Sequence, residues 1–269
     1  MKKRFTLFVL VAFCFSLATM AKNTVVASSA EFANAWGALA DGDTISFAPG
    51  LMNVGNRTLP ATGGTFTFRS QYDHPDSMAI VQLQISGVNT EEGITTGLIF
   101  ENLHLQYRSP SSTSGQIIYF NKVYADISIV AFRNCEISQS VRSLIRTVKP
   151  DNIPATDSTE AVEYTSSGDL EYLEMTDCLI HNTFTSSSHN WPLLYFGHLP
   201  IEVYIARNTF YDMPYNKSIF TMNYAVPELG RNAEITFENN TVCITGPTQG
   251  IVATGTYLGQ ESEFNFHNN

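Results

Sequence analysis

Leu98-Ile-Phe-Glu-Asn-Leu-His-Leu105, Val130-Ala-Phe-Arg-Asn-Cys-Glu-Ile137, Leu173-Glu-Met-Thr-Asp-Cys-Leu-Ile180, Tyr204-Ile-Ala-Arg-Asn-Thr-Phe-Tyr211, Ile235-Thr-Phe-Glu-Asn-Asn-Thr-Val242 and Phe264-Asn-Phe-His-Asn-Asn269 are versions of one phrase. Each is a β-type run, an Asn or Asp, and a second β-type run. The markers Asn102, Asn134, Asp177, Asn208, Asn239 and Asn268 follow one another at 32, 43, 31, 31 and 29 residues. A weaker member, Phe66-Thr-Phe-Arg-Ser70, ends 32 residues before Asn102. Self-similarity at about 30 residues is the mark of a repeat architecture. Two-residue alternation places the positions two before the marker (Phe100, Phe132, Met175, Ala206, Phe237, Phe266) and four before it (Leu98, Val130, Leu173, Tyr204, Ile235, Phe264) on one apolar face. The residues directly before the marker are polar and form the outer face. Leu105, Ile137, Ile180, Tyr211 and Val242, three after it, turn inward again.

A third run follows in most repeats: Ile117–Phe120, Ser143–Ile145, Leu193–Phe196, Ser218–Phe220 and Ile251–Ala253. Three short strands per turn predict an all-β chain: a single-stranded right-handed parallel β-helix of about seven turns. The markers are expected to stack as a ladder of hydrogen-bonded side chains. Glu101 should then neighbour Arg133, and Arg207 should neighbour Glu238. The 43-residue spacing holds an inserted loop at about 147–169. Ser28–Leu39 reads as a capping helix with Ser28 or Ser29 at its start and Phe32, Trp36 and Leu39 at helical spacing. Thr44–Phe47 reads as the first strand. The sequence shows no evident cap at the far end, which points to self-association or a partner there.

Residues 1–21 form a separate segment. Lys2, Lys3 and Arg4 precede an apolar run, Phe5–Leu17, and small residues around Ala21; this is the pattern of a secretory signal peptide cleaved after Ala21. Its removal takes the formal charge from −10 to −13. Residues 22–269 then form one domain, exported to the periplasm, cell surface or medium, with no further membrane-spanning run. Such an acidic chain, only 15% charged, argues against nucleic-acid binding and disorder. Cys135, Cys178 and Cys243 are few for a disulfide framework and read as buried apolar residues; stacking sets Cys135 beside Cys178, where a bond is conceivable.

Ala38-Leu-Ala-Asp-Gly-Asp-Thr-Ile45, followed by Asn-marked turns, resembles the right-handed β-helices of the pectin-lyase-like superfamily, and in particular secreted β-helix proteins of Bacteroidota-type bacteria with domains of unknown function. The resemblance spans about residues 28–269. It implies a carbohydrate partner, a polysaccharide or oligosaccharide, and a choice among lyases, glycoside hydrolases and non-catalytic surface proteins. In such lyases Ca²⁺ or Arg neutralises a uronate and Lys or Arg removes the adjacent proton. Arg142, Arg146 and Lys149 are the candidates for that role, against plain strand-end solvation with pairing to Glu160, Glu163 or Asp169.

The third runs supply two rows: Ile118, Leu144, Leu194, Ile219 and Ile251, and Tyr119, Ile145, Tyr195, Phe220 and Val252. One faces the core; the other is an outward stripe suited to sugar stacking, or covered by the inserted loop or the loop Ser109–Gly115. Tyr119, Tyr195 and Phe220 are the binding candidates. Asp157, Glu160, Glu163, Asp169, Glu171 and Glu174 are dense enough for a hydrolytic pair but read better as a solvated face. Asp73-His-Pro-Asp76 and Ala61-Thr-Gly-Gly64 read as turns. His181, His189 and His198 lack metal-ligand spacing, so neither metal nor cofactor is expected, apart from Ca²⁺ in a lyase. The expected function is an exported, non-catalytic carbohydrate-binding or surface-interaction protein. A polysaccharide lyase or hydrolase is the alternative, and an adhesive or structural fragment of a longer β-helix a third reading.

Overall fold

The computed structural model describes residues 21–60, 62–87, 94–109, 115–121, 126–139, 142–148, 170–183, 191–196, 200–213, 218–222, 233–243, 250–254 and 263–269. Residues 1–20, Lys149, the rest of the inserted segment and the loop from 110 to 114 lie outside them.

The chain is a parallel β-solenoid. Its first sheet holds nine strands: β1 (Asn23–Val26), β2 (Thr44–Phe47), β4 (Gly64–Ser70), β6 (Thr95–Glu101), β9 (Asp126–Arg133), β12 (Leu170–Thr176), β15 (Pro200–Ala206), β18 (Glu234–Glu238) and β21 (Glu263–His267). The second sheet begins with two long strands, β3 (Gly50–Thr58) and β5 (Ala79–Gly87). From there each turn splits into a second and a third strand. The second strands are β7 (Leu103–Tyr107), β10 (Glu136–Ser138), β13 (Leu179–His181), β16 (Thr209–Tyr211) and β19 (Thr241–Cys243). The third strands are β8 (Gln116–Asn121), β11 (Ser143–Val148), β14 (Leu194–Phe196), β17 (Phe220–Met222) and β20 (Val252–Thr254). The first half of β5 pairs with β7 and its second half with β8, so one strand seeds both columns. Seven successive turns begin at β2, β4, β6, β9, β12, β15 and β18. The insertion leaves the stack unbroken, because β12 pairs directly with β9. Residues 147 and 148, read in the sequence as loop, belong to β11.

The core is the stack of inward rows. Phe68, Phe100, Phe132, Met175, Ile205 and Phe237 follow one another in register. The rings of Phe68, Phe100 and Phe132 stack at 5.3 and 5.2 Å. At the N-terminal end, α1 (Ser29–Gly37) lies over this stack: Phe32 stacks on Phe47 at 5.4 Å and Trp36 on Phe68 at 5.5 Å. Ser28 is its N-cap, accepting from the Glu31 N–H, while the Glu31 carboxylate accepts from Ala27 N–H. β1 precedes this helix and pairs with β2, so Thr44–Phe47 is the second strand rather than the first.

The expected ladder divides into two columns. Asn102, Asn134, Asp177, Arg207, Asn239 and Asn268 take the left-handed conformation at each first corner, with φ between 50° and 58°. These side chains, exposed except for the half-buried Asn102, turn the chain, a task that Asn and Asp, at five of the six corners, perform at low strain. The next residue points inward, where Cys135, Cys178, Asn208, Asn240 and Asn269 stack. Asn208 therefore belongs one position later than the sequence spacing put it. The fourth repeat is in phase only if Val203 and Ile205 face the core and Tyr204 faces out, and both are buried. The same shift makes Phe210, not Tyr211, the inward residue of β16. It also moves Arg207 onto Asp177, which it grips at 2.8 and 2.7 Å, while Glu238 accepts from the Tyr204 hydroxyl. The Glu101–Arg133 pair forms as expected at 3.3 Å, and Arg133 also forks onto Glu174.

Backbone hydrogen bonding explains the inward column. The N–H of the residue after each corner is left out of the sheet ladder and must find another acceptor. Asn208 Oδ1 takes the Cys178 N–H at 2.9 Å, Asn240 Oδ1 the Asn208 N–H at 2.9 Å, and Asn269 Oδ1 the Asn240 N–H at 3.0 Å. The three amide groups donate to Met175, Ile205 and Phe237 carbonyls. Two turns earlier, thiols play the same part: Cys135 N–H approaches Cys178 Sγ at 3.4 Å, and the Sγ atoms lie 3.4 Å from the Phe100 and Phe132 carbonyls. Both cysteines are free and buried, and burial pushes the Cys178 thiol well above its ordinary pKa. Cys243 is free and exposed.

Candidate functional site

The register of the third strands decides which side chains meet outside. Ile118, Ile145, Leu194 and Phe220 occupy one inward row. Phe220 is 2% exposed and packs edge-on against Phe196, so it is a core residue and not a binding residue. The outward row is Tyr119, Arg146, Tyr195 and Thr221. The first row read from the sequence is buried at Ile118, Leu144, Leu194 and Ile219. The second mixed the outward Tyr119 and Tyr195 with the buried Ile145 and Phe220, because pairing sets Arg146 rather than Ile145 beside the tyrosines.

Arg146 stands between two tyrosines one turn to either side. Its guanidinium carbon lies 5.5 Å from the Tyr119 ring centre and 5.9 Å from that of Tyr195. Trp191 closes the cluster, with its ring 4.7 Å from the Arg146 guanidinium and 5.4 Å from that of Arg142. Tyr195 meets the indole edge-on at 5.6 Å. The segment carrying Trp191 is tied to β11 by the Ser143 hydroxyl, which donates to the Pro192 carbonyl at 2.7 Å. At the other edge, Gly115 places the start of β8 against Tyr107. A Cβ there would clash with that ring, so only glycine fits.

The structure thus brings together Arg142, Arg146, Tyr119 and Tyr195 and adds Trp191, which pattern reading missed. Trp191 sits just before a strand, outside the two-residue alternation; its one signal was the Trp-Pro step opening a third strand. The Nε atoms of Arg142 and Arg146 are buried without a hydrogen-bond partner among the described residues. Each cation is held instead by aromatic faces, a contact worth about 0.5–2 kcal/mol. Arginine stays protonated at ordinary pH, so Arg142 and Arg146 present fixed positive charge on this face. Lys149 lies outside the described residues, as do the expected partners Glu160, Glu163 and Asp169.

A second polar cluster lies on the outer face of the second strands. Glu136 Oε1 is 2.9 Å from His181 Nε2 and 3.5 Å from His104 Nε2. His104 Nε2 is also 2.7 Å from the Ser138 hydroxyl and 3.2 Å from the Gln106 amide nitrogen, and His181 stacks on Tyr211 at 4.9 Å. Carboxylate and hydroxyl both address the same ring nitrogen, so Ser138, His104 and Glu136 are not a relay across the imidazole. His104 and Glu136 stand two after their corner residues and His181 four after, positions that show as one patch only once the turns are stacked.

The remaining candidates fall elsewhere. Glu171 and Glu174 lie on β12 in the first sheet, Glu174 committed to Arg133. Asp73 accepts from Asn102, and His74 and Asp76 pair across the short 3₁₀ turn Pro75–Ser77. Gly63, before β4, and Gly64, its first residue, have positive φ. His189, His198, Asp157 and Glu160 are outside the described residues. Among the described residues, no group of three His, Cys, Asp or Glu is placed to hold a metal ion, and no helix is long and apolar enough to cross a membrane. No family model matches the chain, and no curated protein matches it in sequence.

Proposed function

We propose that this is an exported, non-catalytic carbohydrate-binding protein, a right-handed β-helix of the pectin-lyase-like type, whose binding site is the face formed by Arg142, Arg146, Tyr119, Trp191 and Tyr195. The observation that carries the reading is the convergence of two arginines and three aromatic rings on one outward face. Aromatic faces and guanidinium groups together suit a saccharide, which offers apolar C–H faces, hydroxyls and, in acidic sugars, a carboxylate. Export is supported by the leader pattern and by the geometry at its end. The Lys22 nitrogen lies 2.7 Å from the buried Asp43 carboxylate. Cleavage after Ala21 would turn that contact into an ion pair.

A glycan array probed with the exported form tests the reading. Binding to at least one saccharide class is expected, weakened about tenfold or more, or ~1.4 kcal/mol, in both Arg146→Ala and Trp191→Ala. Binding unchanged in both variants, or no glycan bound at all, would overturn it. The lyase alternative draws on the same arginine pair, which would neutralise a uronate. Formation of unsaturated uronate product, lost in Arg142→Ala, would favour it over binding alone.

A further inference from the structure

The second cluster has a direction built into its hydrogen bonds. Gln82 on β5 donates through Nε2 to Gln106 Oε1 at 3.0 Å. Gln106 then has only its amide hydrogens to offer His104, whose Nε2 lies 3.2 Å away. The contact therefore needs a bare Nε2 on His104 and its proton on Nδ1. The Ser138 hydroxyl, 2.7 Å from the same nitrogen, can donate to it as well. On the other side, Glu136 is engaged by His181 Nε2, which can donate to it only as N–H. Both imidazoles are mostly enclosed, with side chains 15% and 19% exposed. The charged or titratable groups of the neighbouring strands are few among the described residues. They are Glu136 on β10, His181 on β13, Tyr211 on β16, Cys243 on β19, and Arg108 just past the end of β7, where it binds Gln84.

We propose that His104 is a proton-operated latch that joins four neighbouring strands, β5, β7, β10 and β13, through Gln82, Gln106, Ser138, Glu136 and His181. With Nε2 bare, the chain runs from Gln82 through Gln106 to His104. A proton on Nε2 makes that atom a donor facing the Gln106 amide hydrogens. The new N–H can go to the Ser138 hydroxyl, which turns to accept it, or to Glu136 Oε1, 3.5 Å away. In either case the Gln106 amide hydrogens lose their acceptor, which favours a flip of that amide. A flip presents the Gln106 amide nitrogen to the Gln82 amide nitrogen, so the change passes from β7 to β5. Where the N–H goes to Glu136, that carboxylate is shared by two imidazoles. The enclosed site resists the charge: burial leads in lowering the His104 pKa, opposed by Glu136 and assisted by His181.

A lowered histidine pKa means that the unfolded chain binds the proton first. The stabilising contribution is full above about 6.5, the ordinary imidazole value, and declines as pH falls below it. Long-range ¹H–¹⁵N spectra of the purified protein, recorded from pH 8 to 4.5, test the latch. At neutral pH His104 should carry its proton on Nδ1. It should titrate below 6.5, with the Gln82 and Gln106 side-chain amide signals moving at the same midpoint. In His104→Gln that linked movement of Gln82 should disappear, and the fall in melting temperature between pH 7 and 5 should shrink. His104 protonated on Nε2 at neutral pH, or glutamine signals that ignore its titration, would overturn the proposal. If His104→Gln does not fold, the wild-type spectra decide alone.

Discussion

Asn208 joins three turns of the stack. Its Oδ1 accepts the Cys178 N–H, its amide donates to the Met175 carbonyl, and its own N–H reaches Asn240 Oδ1. It is 1% exposed, so water cannot replace these partners. Asn208→Ala should therefore destabilise the protein by about 2–4 kcal/mol, since each orphaned buried group costs ~1–3 kcal/mol. Asn134 is exposed and serves mainly to turn the corner, so Asn134→Gly should cost less than about 1 kcal/mol. Chemical denaturation of the two variants checks the division into columns; equal losses would contradict it. The doublets Asn239-Asn240 and Asn268-Asn269 already held both columns in the sequence. A single marker per repeat concealed this, because Arg207 rather than an Asn occupies the corner before Asn208.

At the scale of elements, the second and third strands are short, and their cohesion comes from rows rather than from single strands. The inward row of the first sheet is the strongest case: Phe100 lies between Phe68 and Phe132 and is 1% exposed. Phe100→Ala should lower stability by about 3–5 kcal/mol through lost burial and a cavity that neighbouring turns cannot close. Tyr119→Ala, on the outward row, should cost far less and act on ligand binding instead. Thermal or denaturant melts of both distinguish core from site. The rows of the first sheet were legible, except in β15 where Arg207 hides the corner, because all its strands share one phase relative to the corner. Those of the third strands were not. The turns between second and third strands vary in length, so the phase is reset in each turn and only pairing reveals that Tyr119, Arg146 and Tyr195 align. A second set of left-handed corners, Gln139, Asn182 and Asp212, marks the ends of the second strands and shares no residue type.

For the whole molecule, each turn touches only its neighbours, so stability is close to a sum of turns and their interfaces. Strands in the middle of the first sheet have partners on both sides, whereas β1 and β21 have one each. α1 covers the end at β1 with Phe32 and Trp36, while Phe266 beside β18 is 43% exposed. Native-state hydrogen exchange should thus show the slowest amides in β6, β9 and β12, intermediate ones in β2, and the fastest in β21. Uniform protection along the stack would contradict the additive picture.

Sequence alone determined the solenoid, its period, its capping helix and, outside β15, the first-sheet core. These follow from local alternation and from the need of every turn to place the same kind of residue at the same corner. It also supplied Arg142, Arg146, Tyr119 and Tyr195 as candidates. Only the tertiary structure decided that Phe220 is core, that Trp191 joins the arginines, that Asn208 belongs to the buried column, and that His104, Glu136 and His181 meet. The reason is one of register: a shift of a single residue exchanges the two faces of a strand. Which residues share a face across turns is fixed by pairing between strands some 30 residues apart, and not by any neighbour in the chain.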